Sequence, residues 1–143
     1  MPTFKPIALN ADVLALLTDA GLPTADLAEA AAVRFCGMWE GAALVGVVGV
    51  EAHGRVGLLR SLAVRPTYRG NGRGEALVGQ AEAMALRAGI EVLYLLTVSS
   101  GALFARCGYT VVDRTQVPAD IRTTRQYAAL CPATCAVMRR TLA

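Results

Sequence analysis

The stretch VGLLRSLAVRPTYRGNGRGEALVGQAEAMALRA, residues 56–88, decides the fold of this chain. Its first part, Val56–Val64, is almost wholly apolar and predicts a buried strand. Arg65–Tyr68 follows and contains a proline, which ends the strand because proline cannot donate to the ladder. The last part predicts a helix over Gly74–Ala88, with Gly89 as its left-handed cap and one apolar face made of Leu77, Ala81, Met84 and Ala88.

The turn between strand and helix, residues 69–74, reads RGNGRG and predicts an anion cradle. The first turn of a helix has backbone N–H groups without partners, and the helix dipole adds positive charge there. Glycines let a diphosphate approach those groups because they carry no Cβ. The lysine and hydroxyl of a P-loop are missing, and glycines at 70, 72 and 74 do not match the dinucleotide-binding G-x-G-x-x-G register.

The pattern Arg69-x-x-Gly72-x-Gly74, led by Leu-Ala-Val-x-Pro-x-Tyr, resembles the acyl-CoA-binding loop of the GNAT N-acetyltransferases. The resemblance extends over nearly the whole chain and implies the α/β GNAT fold, a mixed central sheet flanked by helices, as one domain over residues 1–143. Within the family, the segments LLRSLAV, LYLLT and IRTT…LCPATCAVM look most like a subgroup associated with bacterial arsenic-resistance operons. They are also similar to short amino-acid N-acetyltransferases of the acetylglutamate-synthase type.

The other segments predict an order typical of that family. Asn10 is a good N-cap for the first helix, and the segment after the long helix predicts a strand parallel to the opening one. In chain order we expect a strand over Pro2–Leu9, helices over Ala11–Ala20 and from Thr24 to about Ala31, a hairpin of Ala32–Glu40 and Ala43–Glu51, a turn at Ala52–Arg55, a strand over Glu91–Thr97, a helix over Ala102–Arg106, a strand from Cys107 to Asp113, a loop and helix over Val117–Tyr127, and a strand over Cys135–Leu142.

Composition excludes several classes of protein. Hydrophobic residues make up 55% and charged residues 17%, so the chain is not disordered. No apolar run reaches the roughly 18 residues of a membrane span, and the start of the chain lacks the pattern of a signal peptide, so we expect a cytoplasmic protein. The net charge is +3, with arginines gathered around the cradle, which favours a phosphorylated small ligand and not nucleic acid.

The four cysteines, at 36, 107, 131 and 135, form no C-x-x-C pair, and His53 is the one histidine. We expect reduced, mostly buried thiols and no metal site; a soft-metal or arsenical thiolate site is the alternative.

The resemblance implies acetyl-CoA as co-substrate. Its phosphates would lie on the cradle loop, Arg69, Gly70, Asn71, Gly72, Arg73, Gly74 and Glu75, and its pantetheine arm along the backbone of Leu62, Ala63 and Val64. Arg73 departs from the aliphatic residue usual in the family, and its side chain either adds charge near the phosphates or, as we expect, points to solvent. The resemblance also implies that Phe104 lies against the cofactor. It aligns with the family's tyrosine that donates a proton to the leaving thiolate, and it has no proton to donate.

The sequence leaves two alternatives for each candidate catalytic residue. Glu51 is either the base that deprotonates the amine or a solvated residue at a strand end. Tyr109 is the substitute for the missing acid, or else a half-buried aromatic residue whose hydroxyl has a backbone partner. His53 is more readily a solvated turn residue than a catalytic one.

Arg60 lies inside an apolar strand, where an unpaired charge is costly. Either an acid such as Glu51 pairs with it, or it binds the carboxylate of an amino-acid-like acceptor. Thr97, Thr123 and Arg125 would then complete the acceptor site, and Leu22–Leu27 would either line that pocket or simply pack. The resemblance therefore implies an N-acetyltransferase for a small, amino-acid-like amine, with an amine-bearing arsenical as a further acceptor, and a homodimer is a further expectation. The alternatives are acetylation of glutamate or another ordinary amino acid, and a catalytically weak CoA-binding sensor.

Overall fold

The computed structural model describes residues 2–22, 24, 33–97, 100–124, 127 and 135–142 of the 143-residue chain. Its strands are β1 (Thr3–Ile7), β2 (Val33–Glu40), β3 (Ala43–His53), β4 (Val56–Val64), β5 (Val92–Thr97), β6 (Thr110–Val112) and β7 (Ala136–Thr141). Its α-helices are α1 (Ala11–Asp19), α2 (Arg73–Arg87), α3 (Gly101–Arg106) and α4 (Ala119–Arg122), with short 3-10 turns at Pro66–Tyr68 and Arg114–Gln116. Residues 25–31 of the expected second helix, Arg125 and Cys131 fall outside the described residues.

The strands form one mixed sheet in the order β1-β2-β3-β4-β5-β7-β6. β4 and β5 run parallel and every other neighbouring pair is antiparallel. The parallel pair confirms the strand–helix–strand crossover predicted around residues 56–97, and the mixed sheet with helices on both faces confirms the predicted fold class.

The helix of the opening stretch packs on one face of the sheet. α2 buries Leu77, Val78, Ala81 and Ala85 among residues of β2 to β5, and burial of a side chain such as Leu77 contributes about 1.5–3 kcal/mol. The predicted face was correct for Leu77 and Ala81 and wrong for Ala88, which is exposed. The buried face of α2 is rotated by about one residue from the predicted face, since Val78 and Ala85 also pack on the sheet.

The opposite face of the sheet carries two smaller clusters. α1, capped at Asn10 as predicted, buries Val13, Leu16 and Leu17 against β2 to β4. α4 buries Ile121 beside Leu58 and Tyr94. None of the helices in the described part of the chain has the length and apolar character that crossing a bilayer requires.

Two expectations from the sequence were wrong. β3 continues to His53, so the β3–β4 turn is shorter than Ala52–Arg55 and His53 is a strand residue. Cys135 is disulfide-bonded and therefore not a reduced thiol, while Cys36 and Cys107 are free. Within the described residues, no group of three or more His, Cys, Asp or Glu side chains is placed to hold a metal ion.

Candidate active site

The sheet opens between β4 and β5. Their pairing runs from Val56–Val92 to Leu59–Leu95, and beyond Leu59 none of the described residues pairs with β4 on that side. At the same point β4 carries a bulge: Ala63 pairs with Val47 and Arg60 with Gly49, which leaves two β4 residues opposite one β3 residue. Ser61 sits in the bulge with φ of 59°, a left-handed conformation that side chains with a Cβ rarely adopt. The end of β4 after the bulge is therefore not paired with β5, and we call it the open edge of β4.

The cradle loop, Arg69–Glu75, lies at the end of that open edge. Three successive residues, Gly70, Asn71 and Gly72, have positive φ values of 88°, 55° and 74°. This left-handed run explains the two glycines, since a side chain there would be strained. Nε of Arg69 donates to the carbonyl of Val64 at 2.9 Å and so ties the loop to the end of β4.

The amides at the start of α2 are available to a ligand. The N–H groups of Gly72, Gly74 and Glu75 have no hydrogen-bond acceptor among the described residues. A Cβ at Gly74 would lie 3.0 Å from the Leu103 side chain, so glycine lets α3 approach the start of α2 closely. Unpaired amides, the helix dipole and the absence of Cβ atoms are the features that a diphosphate site requires, so the predicted cradle stays a candidate phosphate site.

A cleft of about 520 Å³ joins the open edge of β4 to the cradle loop. Most residues predicted to bind the cofactor line it: Leu62, Ala63, Val64, Arg69, Gly70, Gly72, Arg73, Gly74 and Glu75. Asn71 and Phe104 do not. Leu22, one of the residues expected either to line an acceptor pocket or to pack, also lines the cleft; residues 23 and 25–27 are outside the described part.

Sequence reasoning missed the contribution of α3 to the cleft. Ser100, Leu103 and Arg106 line its wall, as does Ala20 at the end of α1. Arg106 is the notable omission, because its Nη2 donates to Oε1 of Glu75 at 3.0 Å and its side chain is 63% exposed. The only signal in the sequence was the arginine one turn after the predicted start of α3, and spacing alone did not place it beside the cradle.

Arg73 does not point to solvent as we expected. Its guanidinium donates to Oε1 of Glu40 from Nη2 at 2.8 Å and from Nε at 3.1 Å, and it lies 5.8 Å from the centre of the Tyr68 ring. The pair links the first residue of α2 to the last residue of β2. Arg73 thus braces the cradle loop as well as lining the cleft.

A buried charge network of Glu51, His53 and Arg60 lies beside the β4 bulge. Nη1 of Arg60 donates to Oε1 of Glu51 at 3.1 Å, and Nε2 of His53 lies 2.6 Å from Oε2 of the same carboxylate. The Arg60 side chain has no exposed surface and that of Glu51 is 9% exposed. Of the two alternatives for Arg60, pairing with an internal acid is the one found; Glu51 is not a solvated strand end, and His53 is not a free turn residue.

Tyr109 and Phe104 pack against each other away from the cleft. Their ring centres are 5.9 Å apart at 69°, and both side chains are buried. The Tyr109 hydroxyl donates to Oε2 of Glu82 on α2 at 2.9 Å. Burial and the Glu82 carboxylate raise the pKa of Tyr109 well above its ordinary value. The hydroxyl therefore keeps its proton but is directed at α2, and Phe104 lies in the core.

The two described threonines predicted to join the acceptor site bond to nearby residues of the chain. The Thr97 hydroxyl accepts from the N–H of Ser100, the residue before α3, at 2.9 Å. Thr123 is exposed, and its hydroxyl donates to the carbonyl of Ala119 at 2.9 Å. Arg125 lies outside the described residues. Neither threonine lines the cleft.

Curated relatives match part of the chain. The amino-acid acetyltransferase of Escherichia coli K12 is 36% identical over 64 residues, which is 45% of this chain and 14% of that protein. An N-acetyltransferase of Chlorobaculum tepidum that has not been characterised is 38% identical over 63 residues, 44% of this chain and 40% of that protein. The chain thus spans less than half the length of these relatives.

Solved structures match the fold along the whole chain. N-acetylglutamate synthase from Neisseria gonorrhoeae, crystallised with coenzyme A and N-acetylglutamate, superposes with a TM-score of 0.82 at 20% identity, covering 100% of this chain and 35% of that one. A GNAT-family acetyltransferase from Staphylococcus aureus gives a TM-score of 0.76 at 14% identity, covering 99% and 100%. At these identities the likeness establishes the fold alone.

The assignment of this chain to a family rests on its sequence. The model of the acetyltransferase (GNAT) family matches residues 10–109, a range that holds the open edge of β4, the cradle loop and α3. Because this match covers more than half of the chain and includes the residues that line the cleft, the chain belongs to the acetyltransferase (GNAT) family.

Proposed function

We propose that this chain is an acetyl-CoA-dependent N-acetyltransferase that acetylates the amine of a small, amino-acid-like acceptor in a ternary complex. The observation that carries the proposal is the set of unpaired amides of Gly72, Gly74 and Glu75 on the wall of the cleft. Family membership supports the reaction class. We treat residues 1–143 as one such domain, since a single sheet runs through the described chain.

The cradle loop is the proposed site of the cofactor's phosphates. Charge-assisted hydrogen bonds from main-chain N–H groups are short and strong, and here three of them lie at the positive end of α2. Arg106 is exposed and held by Glu75, so it lies within reach of an anion on the same amides. We therefore add Arg106 to the proposed cofactor-binding residues.

The open edge of β4 is the proposed site of the acyl arm. Acetyl-CoA supplies a thioester whose carbonyl needs a hydrogen-bond donor as the amine attacks. The backbone of Leu62, Ala63 and Val64 lines the cleft and has no β5 partner, so its amides can pair with the arm and polarise that carbonyl. Such a donor contributes about 3–4 kcal/mol to transition-state stabilisation in other enzymes.

We propose Glu51 as the base that removes a proton from the ammonium group of the acceptor. It is the carboxylate that adjoins the bulge through Arg60, and its second oxygen contacts His53, whose side chain is 28% exposed. The network therefore offers a proton path from the interior of the sheet to solvent through His53. Tyr109 no longer serves as the proposed acid, because its hydroxyl bonds to Glu82; the thiolate takes its proton from water.

The proposal of an amino-acid-like acceptor is based on the names of similar proteins. Several curated relatives are amino-acid acetyltransferases, and one similar structure contains N-acetylglutamate. An amine-bearing arsenical is a further acceptor to test, on the resemblance to the arsenic-operon subgroup. The Arg60 side chain has no exposed surface, so we no longer propose it as the carboxylate clamp. A cytoplasmic location and a homodimer stay predictions.

The test is thiol release from acetyl-CoA with a panel of amines: glutamate, other amino acids, amino-phosphinates, amino-arsenicals and polyamines. We expect turnover on amino-acid-like amines, saturable in both substrates. Calorimetry with CoA alone measures cofactor binding separately from turnover. CoA binding without turnover on any amine would contradict the enzyme proposal and favour a CoA-binding sensor. Failure to bind CoA would contradict both proposals.

A further inference from the structure

A second cavity lies at the far end of α2 from the cradle loop. It measures about 570 Å³, within the range of small-molecule sites, and runs between the last turns of α2 and the β1–β2 edge of the sheet. We call it the α2–β1 groove. Its described lining comes from Pro6–Leu9, from Val33–Phe35 and, on α2, from Met84 and Arg87. It shares no described lining residue with the cleft that holds the cradle loop.

Two arginines that line the groove have no ion pair or side-chain hydrogen bond within the part of the chain that the structure describes. Most arginines of the described chain have an ion pair or a side-chain hydrogen bond, from Arg55 with Glu91 to Arg140 with Glu82. Arg34, Arg87 and Arg122 are the ones for which none is found among the described residues. Arg34 and Arg87 both line this groove, one from the strand side and one from the helix side.

Among the described residues that line the groove, none is an acid that could compensate this charge. Apart from the two arginines, the described lining is apolar. Burial raises the pKa of the Cys36 thiol and the charge of Arg87 opposes that rise, which agrees with a guanidinium directed toward β2. Arg87 also complements the negative end of the α2 dipole, but Arg34 on β2 has no such role.

We propose that the α2–β1 groove is a second binding site, for a small anion with an apolar body, such as an aromatic or aliphatic carboxylate or sulfonate. The head group is held by Arg34 and Arg87, and the body packs on Met84 and on Pro6, which lies on the α2 face of the sheet opposite Cys36. The site is separate from the cofactor cleft, so its occupation does not depend on the acetyltransferase proposal.

The probe is 8-anilinonaphthalene-1-sulfonate, which fluoresces in apolar sites and carries one sulfonate. It is titrated into the whole chain at saturating CoA, so that the cleft is occupied and excluded. We expect one saturable site whose affinity weakens with added salt, since partly exposed charge pairs are screened. N-phenyl-1-naphthylamine, which has no sulfonate, measures the apolar contribution alone.

The variants are Arg34→Gln, Arg87→Gln and the double change, with Arg122→Gln as the matched control for loss of an unpartnered arginine. The double change should weaken sulfonate binding roughly tenfold, as expected for two solvent-exposed charge-assisted contacts, and leave the neutral probe unchanged. Equal melting temperatures exclude a folding defect. Absence of saturable binding, an affinity indifferent to the double change, or displacement by CoA would each overturn the proposal.

Discussion

The cradle loop and the buried charge network beside the β4 bulge are built in opposite ways. The cradle loop uses main-chain amides, and its glycines matter for what they lack: a Cβ and a preference for negative φ. The network uses three charged or titratable side chains, Glu51, His53 and Arg60, joined at 2.6 and 3.1 Å inside the sheet. The conformation of a main-chain loop is determined by a few consecutive residues, whereas a side-chain network depends on which strands become neighbours.

The comparison predicts different consequences of mutation. Changes in the cradle loop should impair cofactor binding with modest effects on stability, because the loop is largely exposed. Changes in the network should lower stability first, because they leave a charge buried without its partner.

Arg60→Met should have the largest effect. Loss of the guanidinium leaves the Glu51 carboxylate buried beside His53 without its cationic partner, and breaking a buried pair costs about 3–5 kcal/mol of the free energy of unfolding. Urea denaturation measures it. Arg55→Met removes an exposed pair with Glu91 and should change stability by less than about 0.5 kcal/mol. Equal losses in the two variants would contradict a buried, essential pair.

Gly72→Val should come next. Valine at φ of 74° is strained, and its branched side chain stands among the amides that face the cleft. We expect KM for acetyl-CoA to rise roughly a hundredfold, the loss expected for about two charge-assisted hydrogen bonds. Gly54→Val is the control, because Gly54 has φ of 68° and open space around it in the β3–β4 turn. The same KM in both variants would show that strain alone is responsible.

Tyr109→Phe separates packing from catalysis. It removes the hydroxyl that bonds to Glu82, while Arg140 still contacts that carboxylate at 3.0 Å, so the cost should be about 1 kcal/mol. We expect kcat to change less than about twofold, since no proton donor of the reaction has been removed. A loss of kcat of roughly a hundredfold, within the range for general acids, would restore Tyr109 as the acid.

The same variant tests the raised pKa of Tyr109. The folded chain keeps this proton at pH values where the unfolded chain, with an ordinary tyrosine pKa near 10, loses it. Stability from this source is thus fully present below about pH 10 and declines as the pH rises further. The difference in unfolding free energy between wild type and Tyr109→Phe should shrink above that pH, and a constant difference would contradict the shift.

Arg106→Gln should have the smallest effect. Its pair with Glu75 is open to solvent, so stability should change little. Arg106 lies on the wall of the cleft, and its loss should raise KM for acetyl-CoA roughly fivefold, as for one exposed contact to a phosphate. An unchanged KM would mean that Arg106 does not contribute and that the backbone amides alone bind the phosphates.

The order of elements and the cradle loop were predictable because each rests on local signals. The apolar run of β4, its terminating proline, the glycine spacing and the left-handed Gly89 act within a few residues. Boundaries moved by only one or two residues in most elements, and His53 extended β3 because a backbone ladder continues where a turn was expected.

What the sequence by itself determined about this protein is the fold class, the family and the main-chain cradle, because periodicity, proline and glycine act on the backbone. Only the tertiary structure decided which charges meet. Arg73 reaches Glu40 and Arg106 reaches Glu75, each across more than 30 residues, and Tyr109 turns to Glu82. Long side chains are aimed by the packing of distant elements, and the cost of burying a charge selects the partner that packing places within reach.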